Sequence, residues 1–260
     1  MTHQTGSLAS DDVRGMFDRI APVYDVMNRV MTAGLDRSWR RLTVEAVVQP
    51  GDRVLDACCG TGDLGLAAER EGGIVTGLDF SARMLERARR KSDSILWVEG
   101  DLLALPFDDA SFDTATVGFG VRNVSDLEAA LAELHRVLRP GGELLLTLDN
   151  LANPVVALRN ALPFGPLNAL GIVPHRVGAT STPRQLTALL RAAHFDVREI
   201  GAILHCPRVL AVAGAAVVNR LGSARAQQRY LRWLLPFEHL ASLPTRYLTG
   251  YFIAVVAHKP

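Results

Sequence analysis

The feature that most constrains the fold of this chain is the stretch Arg53-Val-Leu-Asp-Ala-Cys-Cys-Gly-Thr-Gly-Asp63. A short apolar strand runs into a glycine turn, and a helical pattern begins directly after the turn. A second apolar run ends on a carboxylate, in Thr76-Gly-Leu-Asp79. Parallel strands place their carboxyl ends at one edge of a sheet, so the two segments together predict a ligand crevice at that edge.

Strand-like and helical patterns alternate between residues 51 and 150. This alternation indicates an α/β fold with a mostly parallel sheet. Ser81 and the pair Ser125-Asp126 are suitable N-caps, Thr182-Pro183 opens a further helix, and Arg139-Pro-Gly-Gly142 is expected to end a helix. The predicted strands are 53–57, 74–78, 95–98, 114–119, 143–148, 197–204 and 251–257, and the predicted helices of the alternating region are 63–70, 81–91 and 126–138.

Charge and cysteine content exclude several classes of protein. A net charge of +1 gives no basic excess of the kind that binds nucleic acid. The three cysteines, Cys58, Cys59 and Cys206, lack metal-ligand spacing, so we predict no metal site and interpret them as reduced thiols of a cytoplasmic protein. The longest apolar run, 209–218, is about ten residues, and a membrane span needs about twenty. Residues 1–10 lack the apolar core of a secretion signal.

The glycine turn itself restricts the class of ligand that can bind. Gly60 and Gly62 permit backbone conformations and a close approach that a side chain would forbid. Their spacing from Asp56 differs from the Gly-x-Gly-x-x-Gly of nicotinamide enzymes, which disfavours a hydride-transferring oxidoreductase. A phosphate-binding loop requires a lysine after its glycines, and no lysine follows this turn. The alternative is a tight strand-to-helix turn that binds nothing.

Two carboxylates mark the ends of the next strands. Asp79 lies where it can accept hydrogen bonds from both hydroxyl groups of a ribose, as in dinucleotide folds. Asp101 follows the third strand, where it can accept from an adenine amino group. The alternatives are a helix N-cap for Asp79 and an ordinary loop carboxylate for Asp101. With the glycine turn, three such features at successive strand ends coincide by chance far less often than any single one.

These residues carry a family resemblance. One set of motifs resembles the class I S-adenosylmethionine-dependent methyltransferases: Asp56–Gly62, Asp79, Gly100-Asp101 with Leu105-Pro-Phe107, and Leu138–Gly142. A second set resembles, within that class, the ubiquinone/menaquinone biosynthesis C-methyltransferase family: Met16–Asp25, Asn28, Gly60–Asp63 and Phe119–Val124. The resemblance covers residues 13–150.

The resemblance implies a fold and a cofactor. The implied fold is Rossmann-like, with a seven-stranded, mostly parallel sheet whose last strand is antiparallel, an N-terminal helical lid and a C-terminal helical insertion. The implied cofactor is S-adenosyl-L-methionine. The implied cofactor-binding residues are Asp56, Gly60, Thr61, Gly62, Asp79, Asp101, Leu102 and Gly118. Gly118 is commonly a serine in the family, so a backbone contact alone carries over, and Cys58 and Cys59 are interpreted as small packing residues.

Tyr24, Arg122 and Asn123 are the predicted catalytic residues. The resemblance places Tyr24, together with Phe17 and Asn28, on the lid over the cofactor, and simple helix packing is the alternative. Arg122 and Asn123 follow the fourth strand, where the methyl acceptor is expected. Arg122 can stabilise an oxyanion and Asn123 can orient a carbonyl or hydroxyl group. A salt bridge at the rim is the alternative for Arg122.

The predicted domain organisation has four parts. A disordered amino terminus (1–10) precedes the lid (11–50) and the cofactor-binding core (51–150). An acceptor-shaping part (151–260) completes the sheet and contains a helical insertion at 207–250.

The C-terminal part departs from the family pattern. Thr147-Leu-Asp-Asn150 stands where the family has a Glu-Phe opening, and the insertion has no counterpart. We interpret the insertion, which is apolar with scattered arginines, as a helical cap, with a peripheral membrane or lipid contact as the alternative. His175, His205 and His239 are expected to be core or surface histidines rather than a catalytic base.

The sequence therefore predicts an S-adenosylmethionine-dependent methyltransferase for a small lipophilic or aromatic acceptor, with C-methylation of a quinone precursor as the leading case. O-methylation of a secondary metabolite or glycolipid is one alternative. A non-catalytic cofactor-binding protein is the alternative from another class. We expect a cytoplasmic location, with membrane association left open. The oligomeric state is also left open.

Overall fold

The structure, a computed structural model of the chain, describes residues 10–25, 28, 36–162, 178–205, 214, 229–230 and 232–260. The predictions for residues 1–9, Cys206, His175 and most of the helical insertion lie outside these residues. Within the described part, none of the helices combines the length and apolar character needed to cross a membrane.

The described residues form a mixed α/β structure. Its helices are α1 (Ser10–Ile20), α2 (Asp36–Glu45), α3 (Asp63–Arg70), α4 (Ala82–Arg89), α5 (Leu127–Val137), α6 (Pro154–Ala161), α7 (Pro183–Ala192) and α8 (Arg246–Thr249). Its strands are β1 (Arg53–Ala57), β2 (Ile74–Asp79), β3 (Leu96–Glu99), β4 (Phe112–Val117), β5 (Leu138–Asn150), β6 (Thr180–Ser181), β7 (Asp196–Ile203) and β8 (Phe252–His258). Short 3-10 helices span Ala21–Val23, Gly120–Asn123 and Leu235–Ser242.

The strands form one sheet in the order β3-β2-β1-β4-β5-β8-β7. The pairs from β3 to β5 are parallel, and β8 lies antiparallel between β5 and β7. This arrangement confirms the mostly parallel sheet and the antiparallel last strand. The sheet has eight strands rather than seven, because the two-residue β6 also pairs with β5. A strand of two residues is too short to produce a periodic pattern in the sequence.

Both faces of the sheet are covered by helices, and each face has its own apolar core. The first core packs α5 and α7 against β1, β4, β5 and β8, with Leu131, Leu134, Leu186 and Leu190 fully buried. The second packs α3 and α4 on the opposite face, around Val54 and Trp97. Burial on both faces explains the continuous apolar runs of the central strands. It also leaves the edge at the carboxyl ends of the strands as the place where loops converge.

Most predicted element boundaries agree with the structure. Strand 53–57 coincides with β1, and the Ser81 side chain caps α4 as predicted. Of the predicted pair Ser125-Asp126, Asp126 caps α5. The segment 139–142 differs: α5 ends at Val137, but the residues predicted as a helix stop belong to β5. The reason is a pair of backbone hydrogen bonds, Gly141 N to Lys259 O and Lys259 N to Gly142 O, which extend the sheet into the glycine pair.

Candidate active site

The glycine turn joins β1 to α3 at the carboxyl edge of the sheet. Gly60 and Gly62 have φ angles of +56° and +82°, which glycine adopts without steric strain. A Cβ atom at Gly62 would lie 2.3 Å from Cη2 of Trp97, so the indole packs directly against the turn. Gly62 is the N-cap of α3, and the amide groups of a helix amino terminus favour negative charge and polar ligands.

Asp56 lies beneath the turn and is fully buried. Its Oδ2 accepts a hydrogen bond from Gly65 N at 2.8 Å, and its Oδ1 accepts from Thr116 Oγ1 at 3.2 Å. Burial raises the pKa of the Asp56 carboxyl to about 7, although the Gly65 hydrogen bond opposes that rise. Both carboxylate oxygens therefore contact the protein, and Asp56 holds the first turn of α3 in place.

Asp79 ends β2 and is buried beside the turn. Its Oδ2 accepts from Gly60 N at 2.8 Å, and its Oδ1 accepts from Ser81 N at 2.9 Å. Burial raises the pKa of Asp79, and these backbone hydrogen bonds limit the rise. An ionised carboxylate offers about four acceptor positions, so these two contacts leave room for hydroxyl donors from a ligand.

Helix α1 packs over this part of the site. Asp18 Oδ1 accepts a hydrogen bond from Ser81 Oγ at 2.6 Å, two residues beyond Asp79. The ring of Phe17 lies edge-on to Phe80 and Tyr24, with centroid distances of 6.2 and 6.4 Å. Phe17 could be predicted as a pocket residue but Asp18 could not, because an acidic residue on a polar helix carries no signal that it faces a site.

Tyr24 and the following Asp25 also approach the turn. A Cβ atom at Gly60 would lie 3.9 Å from Cε1 of Tyr24, which places the phenol ring against the glycine backbone. Asp25 Oδ1 accepts from Thr61 Oγ1 at 2.5 Å, and Lys91 lies 3.0 Å from Asp25 Oδ2. Burial alone would raise the pKa of Asp25, but the hydrogen bonds from Thr61 and Lys91 outweigh it and lower the pKa. Thr61 therefore links the turn to the segment after α1.

The remaining predicted cofactor residues occupy different environments. Asp101 is exposed after β3, and its Oδ1 accepts from Leu103 N at 3.0 Å. The Leu102 side chain is buried in the first apolar core, so its backbone alone can face a ligand. A Cβ atom at Gly118 would meet Leu64 Cδ2 at 3.5 Å, an ordinary contact distance. The position therefore has space for the serine that is common in the family.

The predicted acceptor side lies after β4, next to the end of β5. Arg122 Nη1 donates to Asp149 Oδ1 at 3.1 Å, so the salt bridge weighed as the alternative is present. Asn123 follows in the same 3-10 helix and is partly exposed. Phe119 N donates to Thr147 Oγ1, and the Phe119 ring lies 4.5 Å from that of Phe252. These contacts place an aromatic surface beside the arginine.

Cys58, Cys59 and His205 lie in packed surroundings. Burial raises the thiol pKa of both Cys58 and Cys59 well above the ordinary value, which favours packing over nucleophilic chemistry. His205 is buried, with Nδ1 bonded to Thr249 Oγ1 and Nε2 to Ala202 O. His205 is therefore a core histidine as expected, and His239 is exposed.

The geometry fits an adenosine cofactor. The turn brings two left-handed glycines to the edge of the sheet, and a buried carboxylate with spare acceptor capacity lies directly beside them. Among the described residues, acidic and histidine side chains form no cluster that could hold a metal ion.

This fold and site define a class I S-adenosylmethionine-dependent methyltransferase. Within that class, the chain belongs to the ubiE/COQ5 methyltransferase family, whose model matches residues 5–162. The match confirms the family resemblance drawn from the motifs and the cofactor that it implies.

Individual relatives agree with this assignment. A 2-phytyl-1,4-naphthoquinone methyltransferase from Nostoc punctiforme is 45% identical over 156 residues, which are 56% of this chain and 68% of the relative. A demethylmenaquinone methyltransferase from Thermus thermophilus is 40% identical over 204 residues, which are 70% of this chain and 92% of the relative. In two further 2-phytyl-1,4-naphthoquinone methyltransferases, from a second Nostoc strain and from Synechococcus elongatus, the matched part is 63% and 62% of their length.

A solved structure shows the same fold. A SAM-dependent methyltransferase from Thermotoga maritima superposes with a TM-score of 0.62 over 95% of this chain and 99% of its own, at 19% identity. At that identity the similarity concerns the fold and leaves the acceptor open.

Proposed function

We propose that this protein transfers a methyl group from S-adenosylmethionine to a ring carbon of a reduced quinone precursor. The observation that carries the proposal is the position of Arg122, at the same edge of the sheet as the glycine turn and Asp79. A cationic side chain at that position suits an acceptor that develops negative charge on oxygen. The names of the Nostoc and Thermus relatives support a quinone-type acceptor.

For the donor, we assign the ribose hydroxyls to Asp79 and the adenine amino group to Asp101. The acceptor positions of Asp79 that Gly60 and Ser81 do not use are the ones that a diol would occupy. Leu102 and Gly118 contribute backbone contacts. Gly60, Thr61 and Gly62 line the remainder of the donor site, and Asp56 supports them from below without touching the cofactor.

For the acceptor, we assign three roles. Bound S-adenosylmethionine supplies an electrophilic methyl group, and correct positioning provides much of the catalysis. A ring carbon becomes nucleophilic when a hydroxyl group on the same ring loses its proton to water, and Arg122 stabilises the resulting oxyanion. As the new carbon–methyl bond forms, the bond between that methyl group and sulfur breaks, and the ring carbon then gives up its hydrogen to water as a proton. Asn123 orients a second ring oxygen by hydrogen bonding. Tyr24 covers the glycine turn and excludes water from the path of the methyl group.

We also propose that α1 acts as a lid and that the insertion 207–250 acts as a cap. Asp18 and Asp25 attach the lid to Ser81 and Thr61, on either side of Asp79. Near the end of the insertion, Asn150 Nδ2 donates to the carbonyl oxygens of Tyr247 and Gly250. Both attachments lie at the edge of the sheet where the cofactor and the acceptor would meet.

A membrane contact is the alternative role for the insertion. Trp233 is 54% exposed and the neighbouring Arg232 is exposed as well, a combination that suits the surface of an anionic bilayer. Liposome flotation separates the two roles. Co-flotation with anionic vesicles, lost in Trp233→Ser, would support the membrane contact, and failure to float would favour the cap.

The activity is tested with S-adenosylmethionine that carries a ¹³C methyl group. The protein is incubated with a chemically reduced demethylated naphthoquinone or with a simple phenol, and the product is examined by mass spectrometry and ¹³C NMR. We expect a mass gain of one methyl group on the naphthoquinol, with the chemical shift of a methyl group on carbon. A methyl group found on oxygen alone, or no methylated product, would reject the proposal.

A further inference from the structure

A buried carboxylate at the end of β5 is shared by two arginines. Asp149 is 1% exposed. Arg122 Nη1 lies 3.1 Å from its Oδ1, and Arg159 Nη2, from α6, lies 2.9 Å from its Oδ2. Two guanidinium groups from separate elements therefore converge on one carboxylate at the acceptor side.

The charges of this group do not cancel. Two guanidiniums and one carboxylate sum to +1, so one positive charge remains after the ion pairs have formed. Each guanidinium carries five N–H donors in a fixed planar arrangement. Arg122 uses one nitrogen toward Asp149, and Arg159 uses Nη2 toward Asp149 and Nε toward Asn160 Oδ1 at 3.2 Å. The two arginine side chains remain 30% and 26% exposed, so a ligand can reach their other donors.

The surroundings favour a singly charged, aromatic ligand. The rings of Phe119 and Phe252, tilted by 55° with centroids 4.5 Å apart, lie on the segments adjoining Arg122 and Asp149. A diphosphate would need more positive charge or a metal ion, and the described residues contain no acidic cluster that could hold a metal. One surplus positive charge next to an aromatic surface matches an aromatic ring with a single oxyanion.

The carboxylate lies where the sequence departs from the family motif. Asp149 lies within Thr147-Leu-Asp-Asn150, which replaces the Glu-Phe opening of the family. Its second arginine partner, Arg159, lies in α6, the helix that follows β5.

We propose that Arg159 and Arg122, held by Asp149, form an anion-binding pair that takes the acceptor as its ring oxyanion. Arg159 is then a second specificity-determining residue, and Asp149 is the positioning residue that orients both guanidiniums. The inference deepens the proposed function and rests on it for the identity of the ring. The charge state of the ligand rests on the geometry of the three side chains.

The test measures binding rather than turnover. The probes are 2-hydroxy-1,4-naphthoquinone, which is an anion at neutral pH, and the uncharged 1,4-naphthoquinone. Their affinities are measured by calorimetry at pH 7 with the protein saturated with S-adenosylhomocysteine. The variants are Arg159→Gln, the conservative Arg159→Lys, and the control Arg191→Gln, which removes the same charge from an exposed position on α7.

We expect the unaltered protein to bind the anion about tenfold more tightly than the neutral quinone, a difference typical of charge-assisted hydrogen bonds. Arg159→Gln lowers that ratio to about threefold or less, Arg159→Lys restores part of it, and Arg191→Gln leaves it unchanged. The affinity for S-adenosylhomocysteine is expected to stay constant in all variants. A residue that only stabilised the fold would not change the ratio of the two quinone affinities while leaving that affinity constant.

Three results would overturn the proposal. These are equal binding of both probes by the unaltered protein, an unchanged ratio in Arg159→Gln, and a loss of S-adenosylhomocysteine binding in both Arg159 variants. Failure of the proposed function is distinct from these. Anion preference without methylation of any naphthoquinol would reject the proposed function and keep the anion site. Methylation without anion preference would keep the proposed function and reject the anion site.

Discussion

At the scale of single residues, Asp79 combines burial, two backbone hydrogen bonds and a position at the end of β2. We expect Asp79→Ala to weaken S-adenosylhomocysteine binding at least tenfold, or about 1.4 kcal/mol, because the ribose loses its carboxylate acceptor. Isothermal titration calorimetry measures the change directly.

The matched control for this substitution is Asp109→Ala. The Asp109 side chain is 79% exposed and contacts Arg136, far along the chain from the glycine turn. Its removal is expected to leave the affinity unchanged. Equal affinities in Asp79→Ala and in the unaltered protein, with both folded by circular dichroism, would contradict the ribose assignment.

A comparison of alanine substitutions at Gly62 and Gly141 distinguishes the cost of backbone strain from the cost of steric crowding. Both have positive φ angles, +82° and +77°, but a Cβ atom at Gly62 would lie 2.3 Å from Trp97 whereas one at Gly141 would meet nothing within 4 Å. We expect Gly141→Ala to lower the free energy of unfolding by about 1 kcal/mol, and Gly62→Ala by about 3 kcal/mol, because crowding adds to the strain.

Urea unfolding followed by circular dichroism provides both values. The comparison concerns the difference between the two variants, so errors in the extrapolation largely cancel. A Gly62→Ala variant no less stable than Gly141→Ala would show that Trp97 yields to the new methyl group.

At the scale of elements, helix α7 shows how local sequence fixes a boundary. Thr182 and Gln185 form a reciprocal capping box, in which each side chain accepts from the other residue's backbone N–H. We expect Thr182→Ala to lower the free energy of unfolding by about 1 kcal/mol, the usual cost of a lost N-cap. Thr187→Ala is the control, because Thr187 Oγ1 only donates back to Pro183 O inside the helix.

Chemical denaturation of the two variants decides this prediction. A Thr182→Ala variant as stable as Thr187→Ala would mean that tertiary packing of Leu186 and Leu190, not the cap, holds the start of α7.

Elements whose ends carry a chemical signal could be predicted from the sequence. The caps at Ser81, Asp126 and Thr182, and the glycine turn after β1, follow from side chains that bond to the neighbouring backbone. β6 could not be predicted, since its two residues are defined by pairing with β5. The extension of β5 through Gly141 was missed for the same reason, because its partner is Lys259, more than a hundred residues away.

The candidate site also contains residues whose positions could be predicted from the sequence and residues whose contacts could not. The positions of Asp79 and the glycine turn follow from the strand–turn–helix pattern, so the sequence could predict them. The pairing of Arg122 with Asp149 and Arg159 joins three elements through side chains. No periodicity or cap records such a contact, although the family motif Phe119–Val124 already indicated Arg122.

At the scale of the whole molecule, Asp56 links stability to pH. Burial raises its folded-state pKa to about 7, above the value of about 3.9 in an unfolded chain. The folded state therefore holds this proton where the unfolded state has lost it. The stabilising contribution is complete below pH 4 and is lost as the pH rises through 7.

We expect Asp56→Asn to cost more stability at pH 5 than at pH 8, by about 2 to 3 kcal/mol, because asparagine does not titrate. Urea unfolding at both values measures it. Asp113→Asn is the control. Burial alone would raise the pKa of Asp113, but hydrogen bonds from Arg53 outweigh it and lower the pKa. The Asp113 carboxylate is therefore ionised at both pH values, and the loss of stability in Asp113→Asn is the same at both. An equal cost of Asp56→Asn at both values would contradict the prediction.

The placement of β8 between β5 and β7 has a consequence for biosynthesis. A ribosome completes β5 and β7 before it reaches residues 252–258, yet in the described sheet β7 reaches the other strands through β8 alone. A nascent chain that has emerged only as far as residue 203 therefore carries one strand without a docking partner and leaves one side of β5 unpaired. Translation pauses within residues 204–251 prolong that exposed state, and premature termination there makes it permanent.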